Sequence, residues 1–105
     1  HGESFMSFFQ NKVKRGLFIL DEPEAALSPE KQLSLISILH ELSKNGDCQF
    51  IIATHSPLLI TTPNATIYEI NDGKLVEKPY YQTKQFMLYK DFCNAPEHYI
   101  HYLCE

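Results

Sequence analysis

The feature that most limits how this chain can fold is a run of four large apolar residues, Leu17-Phe18-Ile19-Leu20, that stops abruptly at two adjacent carboxylates, Asp21 and Glu22. A short, uninterrupted apolar run is the pattern of a strand covered on both faces in a parallel sheet, not of a strand with one wet face. Acids placed directly after such a strand stand at its carboxyl end, where open α/β sheets collect their ligands.

The neighbouring segments extend this into a β-α-β unit. Phe5, Phe9 and Val13 recur at a spacing of four, with Met6 beside them, so residues 3–14 are expected to form an amphipathic helix that ends in basic residues and Gly16. After the strand, Ser28-Pro29-Glu30 supplies a cap, a first-turn proline and an early acid for a second helix. Leu35, Ile36, Leu39 and Leu42 form its apolar stripe, and Asn45-Gly46 ends it. A second strand is expected over 49–54, with Phe50-Ile51-Ile52-Ala53 apolar throughout. Residues 65–70 alternate more clearly, Asn71-Asp72-Gly73 is a turn, and 74–78 can pair back as an antiparallel edge hairpin. From Gln82 onward helical spacing returns, interrupted near Asn94-Ala95-Pro96, which gives a tail of two helices.

Two strands joined by a helical crossover are parallel, so their carboxyl ends share one edge. Asp21, Glu22 and His55 are therefore expected to meet there. The first helix feeds straight into the first strand and starts at that same edge, where its free N–H groups and dipole offer a seat for an anion. Magnesium favours few carboxylates plus phosphate oxygens, and a second acid beside the metal-side one can take a proton from water. The combination suits hydrolysis of a phosphoanhydride.

Composition narrows the alternatives. A chain of 105 residues with 44% apolar content buries one modest core, and nine Lys and Arg against thirteen Asp and Glu give a net charge of −4. That balance gives no electrostatic support for binding nucleic acid. Three cysteines, Cys48, Cys93 and Cys104, lack the close pairing of a secreted disulfide framework and fit a reducing, cytoplasmic setting. There is no stretch with the length of a membrane span. Because the chain opens at His1 inside a helix start, we take it to be a fragment of a longer protein.

The order of these motifs resembles the ABC-type ATPases, especially compact bacterial AAA-family ATPases of ABC-like build. His1-Gly2-Glu3-Ser4 looks like the tail of a signature motif, 17–22 like a Walker B strand, Ala25-Ala26-Leu27-Ser28-Pro29 like a D-loop, and Ala53-Thr54-His55-Ser56-Pro57 like a histidine switch. The resemblance implies the C-terminal portion of an α/β P-loop NTPase domain, with a mostly parallel sheet, an edge hairpin and a helical tail. On this basis residues 1–78 belong to the ATPase domain and 79–105 to the tail. It further implies magnesium on Asp21, general-base action by Glu22, a γ-phosphate contact from His55, and nucleotide contacts from Gly2, Glu3, Ser4 and Ser28. Two such domains would sandwich ATP as a homodimer and pass the cycle to a downstream partner. Ser28 stands where many transporters carry an aspartate, and no G-x-x-x-x-G-K-[ST] loop occurs among the four scattered glycines. ATPase activity is thus expected of the parent and not of this chain alone.

Two rivals follow from the same residues: a non-catalytic interaction module of truncated ABC-like type, and a metal-dependent hydrolase using Asp21 and Glu22 directly. His40, within the second helix, is read as a surface or core-edge residue. In the tail, Cys93, His98, His101 and Cys104 imitate a zinc spacing, but the last three step around one helix and drift from a common face, so no zinc is expected. Without a phosphate loop, the 105-residue chain is expected to bind magnesium ATP very weakly. Titration calorimetry with a non-hydrolysable analogue checks this, and low-micromolar binding by monodisperse chain would contradict it.

Overall fold

The computed structural model describes residues 2–11 and 15–105, with side chains described for 5–10 and 15–105. Helix α1 covers Gly2–Asn11, strand β1 Gly16–Asp21, helix α2 Pro29–Ser43 and strand β2 Cys48–Ala53. Strands β3 (Tyr68–Asn71) and β4 (Lys74–Glu77) follow, then helices α3 (Lys84–Asn94) and α4 (Pro96–Leu103). Packing divides the chain into two compact units, one ending at Ala65 and the other Thr66–Glu105.

In the first unit β1 and β2 pair in parallel, in unbroken register from Gly16 opposite Cys48 to Asp21 opposite Ala53. Helix α2 makes the crossover. Its start is set by Ser28, whose hydroxyl accepts from the Lys31 N–H at 3.3 Å, and by Pro29 at the first helical position. Leu35 and Leu39 are fully buried, and Ile36, Ile38 and Leu42 pack half-buried around them. Helix α1 lies against the same core. Phe5 and Met6 join a cluster with Leu27 and Leu59, which follow the carboxyl ends of the strands, while Phe9 joins Cys48 at the amino end of β2. The helix therefore runs antiparallel to β1. Phe9 is a hub of edge-on ring contacts with Phe5, Phe8, Phe18 and Phe50 at 5.0–6.0 Å. Gly16, read as the helix stop, opens β1 at a φ of 140°, and a Cβ there would press on the Phe18 ring at 3.3 Å. The expected continuation of α1 through Lys12, Val13 and Lys14 lies outside the described residues.

One expectation about the sheet fails. The strands are covered on one face only, because α1 and α2 both pack on the side of Phe18, Leu20, Phe50 and Ile52, whereas Leu17, Ile19 and Ile51 are 58%, 74% and 53% exposed. The apolar run is continuous, but the described residues supply one covering layer and not two.

The second unit is organised by polar contacts. Strands β3 and β4 form a two-stranded antiparallel sheet of their own, Tyr68 opposite Glu77, around Asp72 and Gly73 at φ 51° and 76°. Two successive positive φ values are the signature of the tight hairpin turn, which Asp-Gly accommodates. None of the buried hydrophobic side chains among the described residues belongs to this unit. Instead Glu69 accepts from Lys78 Nζ at 2.6 Å, Asn71 Nδ2 at 3.3 Å and the Lys84 N–H at 2.7 Å, so one carboxylate ties the hairpin to the first turn of α3. Thr83 caps that helix by accepting from the Phe86 N–H at 3.2 Å. In the tail, His98 and His101 meet the Tyr102 ring edge-on, and His101 Nε2 lies 3.2 Å from Glu105 Oε1.

The bond from Lys78, with those from the Lys84 N–H and Asn71, holds the Glu69 carboxyl down at about 2, below its ordinary value of 4.5. Because the folded pKa is depressed, its contribution to stability is present above pH 4.5 and lost as pH falls through 2. Amide protection of the hairpin, followed by hydrogen exchange, is expected to fall across that acid range in the wild-type chain and to lose most of this dependence in Glu69→Gln. A hairpin equally acid-sensitive without the carboxylate would contradict the assignment.

Candidate functional site

The carboxyl ends of β1 and β2 lead into two short segments that are bonded to one another. The ladder continues one step past the strands, where the Glu22 N–H donates to the Ala53 carbonyl at 2.7 Å. The chain then turns sharply. Glu22 adopts left-handed backbone angles, φ 48° and ψ 56°, directly before the buried Pro23, and a single 3₁₀ turn over Pro23–Ala26 follows. For a residue with a Cβ this conformation costs roughly 1–2 kcal/mol, and it persists because its surroundings fix it from both sides. On one side is the bond to Ala53. On the other, the Ala25 N–H donates to the Glu22 carbonyl at 3.0 Å.

The loop after β2 is held just as closely. Glu24 reaches across with both oxygens, Oε1 accepting from the Thr54 hydroxyl at 2.6 Å and Oε2 from the His55 N–H at 2.8 Å. Thr54 Oγ1 in turn accepts from the Ser56 N–H at 3.0 Å. Ser56 is buried, and its hydroxyl donates to Gln32 Oε1 of α2 at 2.5 Å while accepting from the Leu58 and Leu59 N–H groups, each at 3.1 Å. Gln32 closes the circuit by donating from Nε2 to the Leu27 carbonyl at 3.3 Å. Burial alone would raise the Glu24 carboxyl, but the bonds from Thr54 and His55 outweigh it and hold the group below its ordinary range.

Asp21 and Glu22 thus leave the sheet at the same edge as Thr54-His55-Ser56, and Asp21, Glu22 and His55 are all exposed there. Among the described residues no side-chain ion pair or hydrogen bond engages Asp21 or Glu22, so both carboxylates are open to solvent and to a ligand. The antiparallel course of α1 brings its start, and hence Gly2, Glu3 and Ser4, to the same end of the sheet, although the side chains of these three lie outside the described residues. Ser28 is exposed and occupied as the cap of α2. Glu24 and Gln32 had no assigned role in the sequence, and Thr54 and Ser56 entered only as the residues flanking His55 in the switch-like motif. The one signal for Glu24 is its position two residues after Glu22, in a turn that brings it back toward the second strand. Among the described residues no group of three or more His, Cys, Asp or Glu is placed to hold a metal ion unaided, so the rival that rests on Asp21 and Glu22 as a self-sufficient metal site gains no support.

A family model described as "AAA domain, putative AbiEii toxin, Type IV TA system" matches residues 5–61, more than half of the chain. The chain belongs to this AAA family. The match takes in α1 from Phe5 onward, both parallel strands, α2 and the loop that carries His55, and leaves Gly2, Glu3 and Ser4 outside. Among curated proteins this AAA chain is similar to the OLD nuclease of Thermus scotoductus, 39% identical over 51% of the chain and 10% of that protein. It is also similar to the energy-coupling factor transporter ATP-binding proteins of Methanosphaera stadtmanae, 34% identical over 62% of the chain and 23% of that protein, and of Methanocaldococcus jannaschii, 32% identical over 59% and 22%. The matched region therefore spans between a tenth and a quarter of the length of these relatives. No solved structure matches the chain. The transporter relatives are named as ATP-binding proteins, and the α/β unit described here accords with part of a P-loop NTPase domain. No helix among the described residues is long and apolar enough to cross a membrane.

The strain at Glu22 gives a stability test independent of turnover. Replacing Glu22 by glycine removes the steric cost of the left-handed conformation and adds unfolded-state entropy, so Glu22→Gly is expected to change stability by no more than a gain of about 1 kcal/mol. A proline or valine there should cost several times that. Denaturant midpoints measure both, and a glycine variant destabilised by more than about 1 kcal/mol would contradict the backbone assignment.

Proposed function

We propose that the full protein binds and hydrolyses ATP with magnesium, and that the edge formed by β1 and β2 is its hydrolytic side. The observation that carries this is the in-register parallel pairing that ends at Asp21 opposite Ala53, which sets two free carboxylates and His55 at one sheet edge. Asp21, at the strand end, would face the magnesium ion, a hard cation that takes a carboxylate oxygen together with phosphate oxygens and water. That ion would supply charge neutralisation on the phosphates. Glu22, one residue beyond, would accept the proton of the attacking water. His55 would contact the γ-phosphate, the group that distinguishes ATP from ADP.

The start of α1, with Gly2, Glu3 and Ser4, presents N–H groups and a positive dipole end suited to a nucleotide phosphate. In the proposed homodimer that nucleotide is the partner's, sandwiched between two copies, with Ser28 and its turn at the junction. The loop cradling the triphosphate would come from the remainder of the protein, and the cycle would drive a partner in a reducing, cytoplasmic setting. Residues 1–78 would belong to the ATPase domain and 79–105 to its helical tail.

In the full-length protein Glu22→Gln is expected to lower turnover by on the order of 10²- to 10⁴-fold while nucleotide binding survives, because an isosteric amide removes proton acceptance and little shape. Asp21→Asn is expected to weaken magnesium-dependent binding as well. His55→Ala should fall between them. Steady-state hydrolysis and equilibrium binding of a labelled nucleotide separate these outcomes, and a Glu22→Gln variant hydrolysing ATP at the wild-type rate would favour the non-catalytic interaction module.

A further inference from the structure

Glu24 has no part in the chemistry proposed above, yet its side chain bonds directly from one of the segments that carry it to the other. Its carboxylate starts in the turn that follows Glu22 and ends on the loop that carries His55. We propose that Glu24 is a positioning residue that sets the height and register of His55 relative to Glu22, so that both meet the same nucleotide. The inference rests on the hydrolytic reading of this edge and deepens it.

The geometry is specific to a carboxylate with this reach. Two donors from adjacent residues, the Thr54 hydroxyl and the His55 N–H, converge on two different oxygens of one side chain at 2.6 and 2.8 Å. Both are short, charge-assisted bonds, the class that holds geometry most firmly. Beyond Ala53 the ladder between the strands has ended, so among the described residues the backbone at His55 has no sheet partner to fix it. The Glu24 bond replaces that partner with a side chain. The next anchor along the loop is Ser56, fastened to Gln32 of α2. His55 is thus clamped between a contact to its own N–H and a buried anchor one residue on, while its exposed ring is left for a ligand.

A second consequence concerns coupling. Glu22 caps the 3₁₀ turn that holds Glu24, and the turn is stabilised by bonds from the Ala25 N–H to the Glu22 carbonyl and from the Leu27 N–H to the Glu24 carbonyl at 3.0 Å each. A shift of His55 toward or away from a γ-phosphate would pull on Glu24 and through that turn on the backbone of Glu22. The presence of the γ-phosphate would be communicated to the proposed general base over two residues.

The test uses the full-length protein and a double-mutant cycle. Glu24→Ala is expected to lower kcat by about 10- to 100-fold, the cost of a misplaced catalytic group, with KM for magnesium ATP changed much less. Combined with His55→Ala, it should add little to the loss from His55→Ala alone, since both act through the same side chain. Thr54→Val, which removes one of the two donors and keeps shape, should give a smaller loss, and Glu24→Gln, which can still accept from the His55 N–H, should recover part of the activity. Hydrogen exchange of the peptide spanning 53–58 is expected to rise in Glu24→Ala. A Glu24→Ala enzyme with wild-type kcat, or a double variant whose loss equals the product of the single losses, would overturn the proposal. If Glu22→Gln keeps wild-type turnover, it is the hydrolytic reading that has failed. The role of Glu24 in fixing the loop is then decided by exchange alone, and unchanged protection at His55 would overturn it too.

Discussion

The in-register parallel pairing of β1 with β2 is the contact on which the rest of the first unit depends. It fixes Asp21 opposite Ala53, and every feature of the candidate site is counted from that pair: the bond from Glu22 to Ala53, the turn that follows, and the loop two residues beyond. A slip of one residue would move Phe18 and Leu20 of β1, or Phe50 and Ile52 of β2, out of the core and carry Glu22 away from its acceptor. The pairing is held at the other end by Phe9, whose ring meets both Phe18 and Phe50, one from each strand. Aromatic packing at the amino end of the sheet thus secures the alignment of charged groups at its carboxyl end.

The core and the site share elements but divide the work. Leu35 and Leu39 of α2 supply the burial, and three residues earlier on the same helix Gln32 reaches Ser56 and Leu27. Placing a polar anchor on a helix already fastened by its apolar stripe makes the loop as rigid as the core beneath it. This rigidity is what allows Glu22 to be kept in a left-handed conformation and His55 to be kept beyond the end of the ladder. The second unit follows another principle. Without a buried apolar side chain, it relies on the Glu69 carboxylate and on capping at Thr83.

Much of this was legible from residue order. The abrupt end of the Leu17–Leu20 run marks the strand within one residue at either end, Ser28-Pro29 marks the start of α2, and Asp72-Gly73 marks the hairpin, because each depends on local chemistry that any surroundings would impose. The break at Ala95-Pro96 is similarly local. One-sided burial was not legible, since Leu17, Ile19 and Ile51 read alike whether or not a second layer lies over them. Nor was the role of Glu24. In sequence it is the third acid in a row of four residues, and only the fold separates the two carboxylates left open from the one spent on Thr54 and His55. The bond between Gln32 and Ser56 was not legible either, for it joins a helix residue to a loop residue 24 positions on.

The central claim, that the strand-end acids and His55 face one magnesium nucleotide, is tested most directly by a crystal structure of the full-length protein with magnesium and a non-hydrolysable ATP analogue. The account predicts a magnesium ion at about 2.1 Å from phosphate or water oxygens on the Asp21 side. It also predicts a water between Glu22 and the γ-phosphate, and the His55 ring within hydrogen-bond distance of that phosphate, about 2.7–3.2 Å. A nucleotide bound elsewhere, or one bound at this edge with His55 turned away and no water near Glu22, would contradict it.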